Sequence, residues 1–273
     1  MPRSAPAAFR AASARRVLLR LVSRAAFRAL PAACAILAAC AGCAKRAQTE
    51  IVEWTSMGTV ASFRCRDAED LRLASGAMAV FKDVEALLSA HDPGSELSRL
   101  APLPDGEVLA RCSPLVRPCY EAAFGFRDAT GGAFNPRYRG EGTMDLGAIA
   151  KGFALDLAAE RLAGRDALLD LGGNLKACGG EWRAGVLGGA DGDFILLTNG
   201  MACATSGEYF RGRHIRDGRT GGEISGTVRS VTVVHPSSAQ TADALSTILF
   251  ILGREKGDAF LREHHPEARA IWL

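Results

Sequence analysis

Between Met144 and Leu162 the chain reads MDLGAIAKGFALDLAAERL, which sets a carboxylate (Asp145), a glycine (Gly147), a lysine (Lys151) and a second glycine ahead of a helix. A glycine where the backbone bends, followed by the unpaired N–H groups of a first helical turn, makes a place that favours anions. Asp145 and Lys151 fit two readings at that spacing. They either face an anionic ligand, or are an ordinary helix cap and an ordinary solvated lysine. A second set lies at Asp243 and Thr247, four residues apart and so on one face of a helix that is almost wholly apolar through Leu252. A carboxylate buried there needs a hydrogen-bond network or a cation. A third is the polar loop His214-Ile215-Arg216-Asp217-Gly218-Arg219-Thr220-Gly221, with two arginines and a histidine.

These groups need elements to hold them. Ile149, Phe153 and Leu157, with Ala150, Ala154 and Ala158 beside them, give the central helix an apolar face, while Asp156, Glu160 and Arg161 stay on the polar side. Ile51 to Thr55 and Thr59 to Cys65 read as strands around a Met57-Gly58-Thr59 turn. Apolar spacing from Leu71 to Leu88 predicts a core-facing helix within 68–90. Ser113-Pro114 reads as a helix start, with Pro118 predicting a kink or a later start. Further strands are expected at 167–171, 182–187, 194–198, 201–206 and 228–234, with hairpin turns at 188–193 and 199–200. The pattern predicts an α+β fold of antiparallel strands with the central helix and the Asp243 helix packed on them, both helix starts facing one cleft.

Composition bounds the function. At 48% hydrophobic and 23% charged, the chain of 273 residues has the balance of a globular protein. Residues 1–39 carry seven arginines and no acid, then an apolar run too short to span a bilayer, which is the pattern of an export signal. Without those arginines the formal charge falls from +3 to about −4, so no basic nucleic-acid-binding surface is indicated. The cysteines past Cys40 lack the close paired spacing of a zinc site and read mostly as small buried apolar residues.

Two resemblances go further. Leu37-Ala38-Ala39-Cys40 resembles a bacterial lipobox, which implies cleavage before Cys40, lipid modification of that residue, a tether over 40–50, a domain over 51–273, and a lipoprotein anchored on the extracytoplasmic side of the membrane. The ordered pieces MGT (57–59), SELSRL (95–100), GAFNP (132–136), MDLGAIAKGFALD (144–156), LLDLGGNLKACG (168–179), ATSGEY (204–209), HIRDGRTG (214–221) and VTVVHPSSAQTADALSTILFILG (231–253) together resemble the ApbE family of FAD:protein FMN transferases.

That resemblance implies a T-fold-like α+β architecture with an FAD cleft between subdomains. It also implies Mg²⁺-dependent transfer of the FMN half of FAD to a threonine or serine hydroxyl of an exported flavoprotein, releasing AMP. By the resemblance, Met57, Ala133, Phe134, Asn135, Asp145, Lys151 and Ile215 would contact FAD. The ion would take the main-chain oxygen of Ala148, the carboxylate of Asp243 and the hydroxyl of Thr247. His214 is the nearest residue by motif to take the acceptor proton, its other reading being a loop histidine that orients the flavin. The chain departs from the family pattern at Asn135, where Asp is usual, and at Gly218, where Pro is usual and where glycine predicts a more mobile loop. Only eight residues separate Pro136 from Asp145, where family members usually carry tens. An FAD pyrophosphatase giving FMN and AMP, and a flavin-binding lipoprotein without turnover, are the alternative readings.

Overall fold

The computed structural model describes residues 49–162, 164–186, 194–208, 215–224 and 228–273. The expected signal segment, Cys40, most of the tether, the 188–193 turn and His214 lie outside them.

Strand β1 (Glu50–Ser56) and strand β2 (Thr59–Cys65) pair antiparallel across Met57 and Gly58. Both turn residues have positive φ, +50° and +68°, the requirement of the tight hairpin turn that matches strand twist. The chain then forms β3 (Ala167–Leu171), β4 (Asn174–Ala177), β5 (Glu181–Gly185), β6 (Phe194–Thr198), β7 (Ala202–Gly207), β8 (Ser230–His235) and β9 (Arg269–Trp272). Seven of these build one sheet in the order β1-β2-β3-β4-β7-β8-β9, antiparallel at every pairing, and β5 pairs with β6 as a separate hairpin.

Alternation along the strands divides the sheet's two faces. Ala61, Phe63, Leu169, Leu171, Val231 and Val233 join the main core with the helices. Leu168, Ala177, Cys203 and Val234 form a smaller cluster with Trp182, Ala184 and Leu197 of the β5–β6 hairpin.

The helices are α1 (Ala74–Leu88), α2 (Glu96–Leu100), α3 (Asp105–Arg111), α4 (Arg117–Ala129), α5 (Ala150–Glu160) and α6 (Ala239–His264). The helix expected within 68–90 opens as a 3₁₀ segment over Ala68–Leu73 before α1. Pro118 sits in the first turn of α4, so the helix starts later than Ser113-Pro114 and loses no hydrogen bond to the proline. Helix α3 and strand β4 carry no strong pattern of their own and were not expected. The cysteines at 65, 112, 119, 178 and 203 are free and buried, as small apolar residues would be. Among the described residues no helix is long and apolar enough to cross a membrane.

Helices α5 and α6 cross with almost no space between their backbones. A Cβ on Gly152 would lie 2.2 Å from the Ala239 carbonyl oxygen and 2.7 Å from the Gln240 Cα. Real atoms never approach so closely, so the crossing requires glycine. Gly152→Ala is therefore expected to force the helices apart and cost about 1–3 kcal/mol, as overpacking does; an unchanged denaturant midpoint with an unchanged m-value would refute the close approach.

Candidate functional site

The site begins where two helices start. Helix α5 has no side-chain cap of its own: its N-cap residue is Ile149. One of its orphan N–H groups, that of Gly152, donates instead to Oδ2 of Asp243 at 3.0 Å, and Asp243 is only 4% exposed. The other oxygen, Oδ1, lies 3.8 Å from the Lys151 ammonium, which donates to the Gly147 carbonyl at 2.6 Å.

The start of α6 is held in return from α5. Asp156 accepts from the Ala239 N–H (2.9 Å), the Gln240 N–H (3.0 Å) and the Ser238 hydroxyl (3.0 Å). Buried Lys176 on β4 pairs with Asp156 at 2.9 Å and donates to the carbonyls of Gly200 and Ser237. Asp156, expected on a solvated face, is thus a cap for the neighbouring helix. Lys176 was not expected in any role; its lone cationic side chain in an otherwise buried strand was the available signal.

His235, at the end of β8, completes that corner. Its Nδ1 accepts from the N–H groups of Ser237 (3.2 Å) and Ser238 (2.9 Å), so Nε2 carries the proton, which faces Glu267 Oε1 at 3.2 Å. His265 also faces Glu267. The three side chains could in principle gather round an ion. The tautomer argues otherwise, because a protonated Nε2 has no lone pair to give.

Oxygen donors surround Asp243. Thr247, one turn on, has its hydroxyl 3.2 Å from that of Ser206, which also meets Ser246 at 2.9 Å, and Ser246 donates to the Asp243 carbonyl. The Ala148 carbonyl accepts no backbone hydrogen bond among the described residues, since the N–H four residues on, that of Gly152, is committed to Asp243. One carboxylate oxygen without a close donor, one hydroxyl and one free carbonyl make an all-oxygen set with a single negative charge. Such a set fits a hard divalent ion such as Mg²⁺, whose remaining positions go to water or phosphate.

The loops close round this helix start. Ala133 and Phe134 are buried, Phe134 against Phe126, and the Ala133 carbonyl accepts from the Gly218 N–H at 2.8 Å. Asn135 accepts from the Arg137 N–H at 2.9 Å and offers its amide to the Gly218 carbonyl at 3.4 Å. A Cβ on Gly218 would fall 2.4 Å from the Asn135 Cβ. The expectation of a more mobile loop is corrected: glycine lets the 215–224 segment lie directly on the 133–135 segment, and its N–H bond pins it there. Ile215 packs half-buried on the main core.

The short link from Pro136 to Asp145 closes through a 2.7 Å bond from the Asp145 N–H to the Pro136 carbonyl. Asp145 then accepts from the Gly147 N–H (2.8 Å) and pairs with Arg139 (3.0 Å). The structure therefore brings Lys151 to Asp243, puts Thr247 one turn further along the Asp243 helix and Ala148 just before the start of α5, and separately ties Ala133 and Asn135 to the Gly218 loop. Met57 stands at the β1–β2 turn, and no hydrogen bond joins it to the Asp243 cluster among the described residues.

The ApbE family model matches residues 138–272, which contain the whole Asp243 cluster. Over these residues the chain matches the ApbE family. Its relatives include proteins named FAD:protein FMN transferase from Klebsiella pneumoniae (38% identical, covering 44% of this chain and 42% of that protein) and Treponema pallidum (36%, covering 48% and 43%). The chain thus spans less than half the length of the curated relatives it matches. Solved structures extend the likeness in fold. The flavin transferase ApbE from Vibrio cholerae superposes with a TM-score of 0.67 at 21% identity, covering 82% of this chain and 93% of that one, and the ApbE protein from Thermotoga maritima with 0.67 at 24%, covering 83% and 94%. The helix crossing therefore lies within the matched residues, on a fold shared with these structures.

Burial, opposed by Glu267, pushes the His235 imidazole below its ordinary value of 6.5. The neutral ring is the native form, so its contribution to stability is full above the ordinary value and is lost as pH falls through the lowered folded value. Between pH 7 and pH 5 the Tm of the wild type should drop more than that of His235→Asn, whose side-chain carbonyl keeps an acceptor without titrating. Parallel Tm curves would show that His235 does not hold this corner by its neutral form.

Proposed function

We propose that this chain transfers the FMN half of FAD to a threonine or serine hydroxyl of an exported flavoprotein and releases AMP. The observation that carries the reading is the buried carboxylate of Asp243 at the crossing of two helix starts, held by the Gly152 N–H and facing Lys151. Relatives named FAD:protein FMN transferase and the family match support it.

In this reading the acceptor oxygen forms a bond to the phosphorus of the FMN half while the bond from that phosphorus to the oxygen of the AMP half breaks. The hydroxyl proton leaves to a base, for which His214 remains the nearest residue by motif. Asp243, Thr247 and the Ala148 carbonyl would hold Mg²⁺, which supplies neutralisation of charge on the phosphate oxygens when bound. Lys151, fixed by Gly147 and Asp243, orients and balances the diphosphate, and Asp145 offers acceptor oxygens to hydroxyl or N–H groups of the dinucleotide. The buried Phe134 segment and the Gly218 loop pinned to it exclude water from one wall. Cys40, as a lipidated N-terminus, would place this activity at the outer surface of the membrane, where an exported acceptor is found.

Purified protein lacking residues 1–39, mixed with FAD, Mg²⁺ and a domain carrying an acceptor threonine, is expected to increase the acceptor mass by one FMN. Chelation or Asp243→Ala should abolish the gain, a loss of at least about 100-fold as for removal of a principal charge-stabilising group. Free FMN and AMP with an unmodified acceptor would replace the transferase with a pyrophosphatase. Intact FAD after long incubation would leave only a flavin binder.

A further inference from the structure

The segment 137–143 lies between the motif pieces GAFNP (132–136) and MDLGAIAKGFALD (144–156). Its two arginines differ sharply. Arg137 is spent on structure: Nε binds Asp105 Oδ1 at 3.0 Å, and Nη1 and Nη2 bind the Ala101 and Leu103 carbonyls. Arg139 is half-exposed, stacks at 5.3 Å over the Tyr138 ring, and uses Nε on the Tyr138 hydroxyl (2.8 Å) and Nη2 on Asp145 Oδ2 (3.0 Å). Its Nη1 has no partner among the described residues.

Arg139 also belongs to the site by connection. Asp145 Oδ1 accepts from the Gly147 N–H, and the Gly147 carbonyl accepts from Lys151, which faces Asp243. Along this line the charges alternate: Arg139, Asp145, Lys151, Asp243. Remove Arg139 and two carboxylates remain along this line with one lysine, a poor setting for a dianionic diphosphate. The other arginines nearby are engaged, Arg219 clasping Asp217 with Nε and Nη2, and Arg216 pairing with Glu223. A half-exposed guanidinium held through Nε and Nη2, with Nη1 free, still offers N–H donors of the kind that phosphate oxygens accept.

We propose that Arg139 is a substrate-recognition residue that reads the diphosphate of the flavin dinucleotide, with Asp145 and Tyr138 holding it ready. The inference rests on the flavin-dinucleotide reading above and adds to it a phosphate contact supplied by the short link itself. It makes Arg139 a determinant of selectivity for diphosphate-bearing ligands over the bare flavin.

The test is a titration of the wild type, Arg139→Gln and Arg139→Lys with three probes in the presence of Mg²⁺: FAD, ADP as a diphosphate without flavin, and riboflavin as a flavin without phosphate. Arg139→Gln should weaken FAD and ADP by about tenfold, the weight of one charge-assisted hydrogen bond, and leave riboflavin unchanged. Arg139→Lys should fall between, keeping the charge but not the guanidinium. Equal weakening of all three probes would mean that Arg139 only holds Asp145 in place, and unchanged FAD and ADP affinities would mean that it touches no phosphate; either result overturns the inference while leaving transferase activity to stand on the mass assay. A wild type that binds neither FAD nor ADP would overturn both readings together.

Discussion

Two aspartates on two helices cap one another's helix. Asp243 of α6 accepts from Gly152 at the start of α5, and Asp156 of α5 accepts from Ala239 and Gln240 at the start of α6. Neither arrangement is local, because each cap arrives from the other helix, so neither start is complete unless both helices are docked. The absent side chain at Gly152 permits the approach, and the exchanged carboxylates fix the crossing once it is made. Orphan N–H groups at a helix start must find partners, and here the same partners also set where the site carboxylate points.

This exchange explains how an aspartate can be buried so deeply at a site without distorting it. Asp243 receives an N–H, faces an ammonium, and lies beside a string of hydroxyls through Thr247, Ser206 and Ser246. A buried charge with such company is stabilised, whereas removing one partner would strand it. Lys176 has the same standing at the opposite cap: its charge meets Asp156 while two carbonyls take its remaining donors. His235 secures the intervening turn as a neutral acceptor of two N–H groups. The corner between β8 and α6 is therefore built wholly from satisfied polar groups, which is what keeps a polar core specific rather than soft.

Much of this was legible in the sequence, and the limits have physical causes. The strands with β-branched alternation, β2 and β6 among them, were readable because one face is buried and period two is a strong signal. The central helix and the Asp243 helix were readable from apolar spacing, and Asp243 stood out because an acid in an apolar helix has few explanations. Asp156 did not stand out, because an acid on the polar side of a helix has an ordinary explanation and its real partner lies 83 residues away in sequence. Helix α3 was missed because DGEVLAR is short and has a single buried residue, Val108. The consequence of Gly218 was misjudged for the same reason as Asp156: glycine frees a loop in isolation, but here it removes the side chain that would keep the loop from lying on Asn135.

The two loops also show why a shortened link need not leave the site open. The eight-residue connection returns on itself so that Asp145 bonds to Pro136, and Arg137 anchors it by three contacts to Asp105 and the carbonyls before α3. Gly221 approaches the Tyr138 carbonyl from the other loop, a Cβ there lying 3.6 Å from it. The wall is thus assembled from three segments, 101–105 bonded to 137, 133–135 bonded to 218, and 138 lying against 221. A longer insertion could fold over a cleft as an independent flap. A short one has to take its rigidity from its neighbours, and its few outward side chains, Arg139 foremost, then carry whatever recognition that side of the cleft provides.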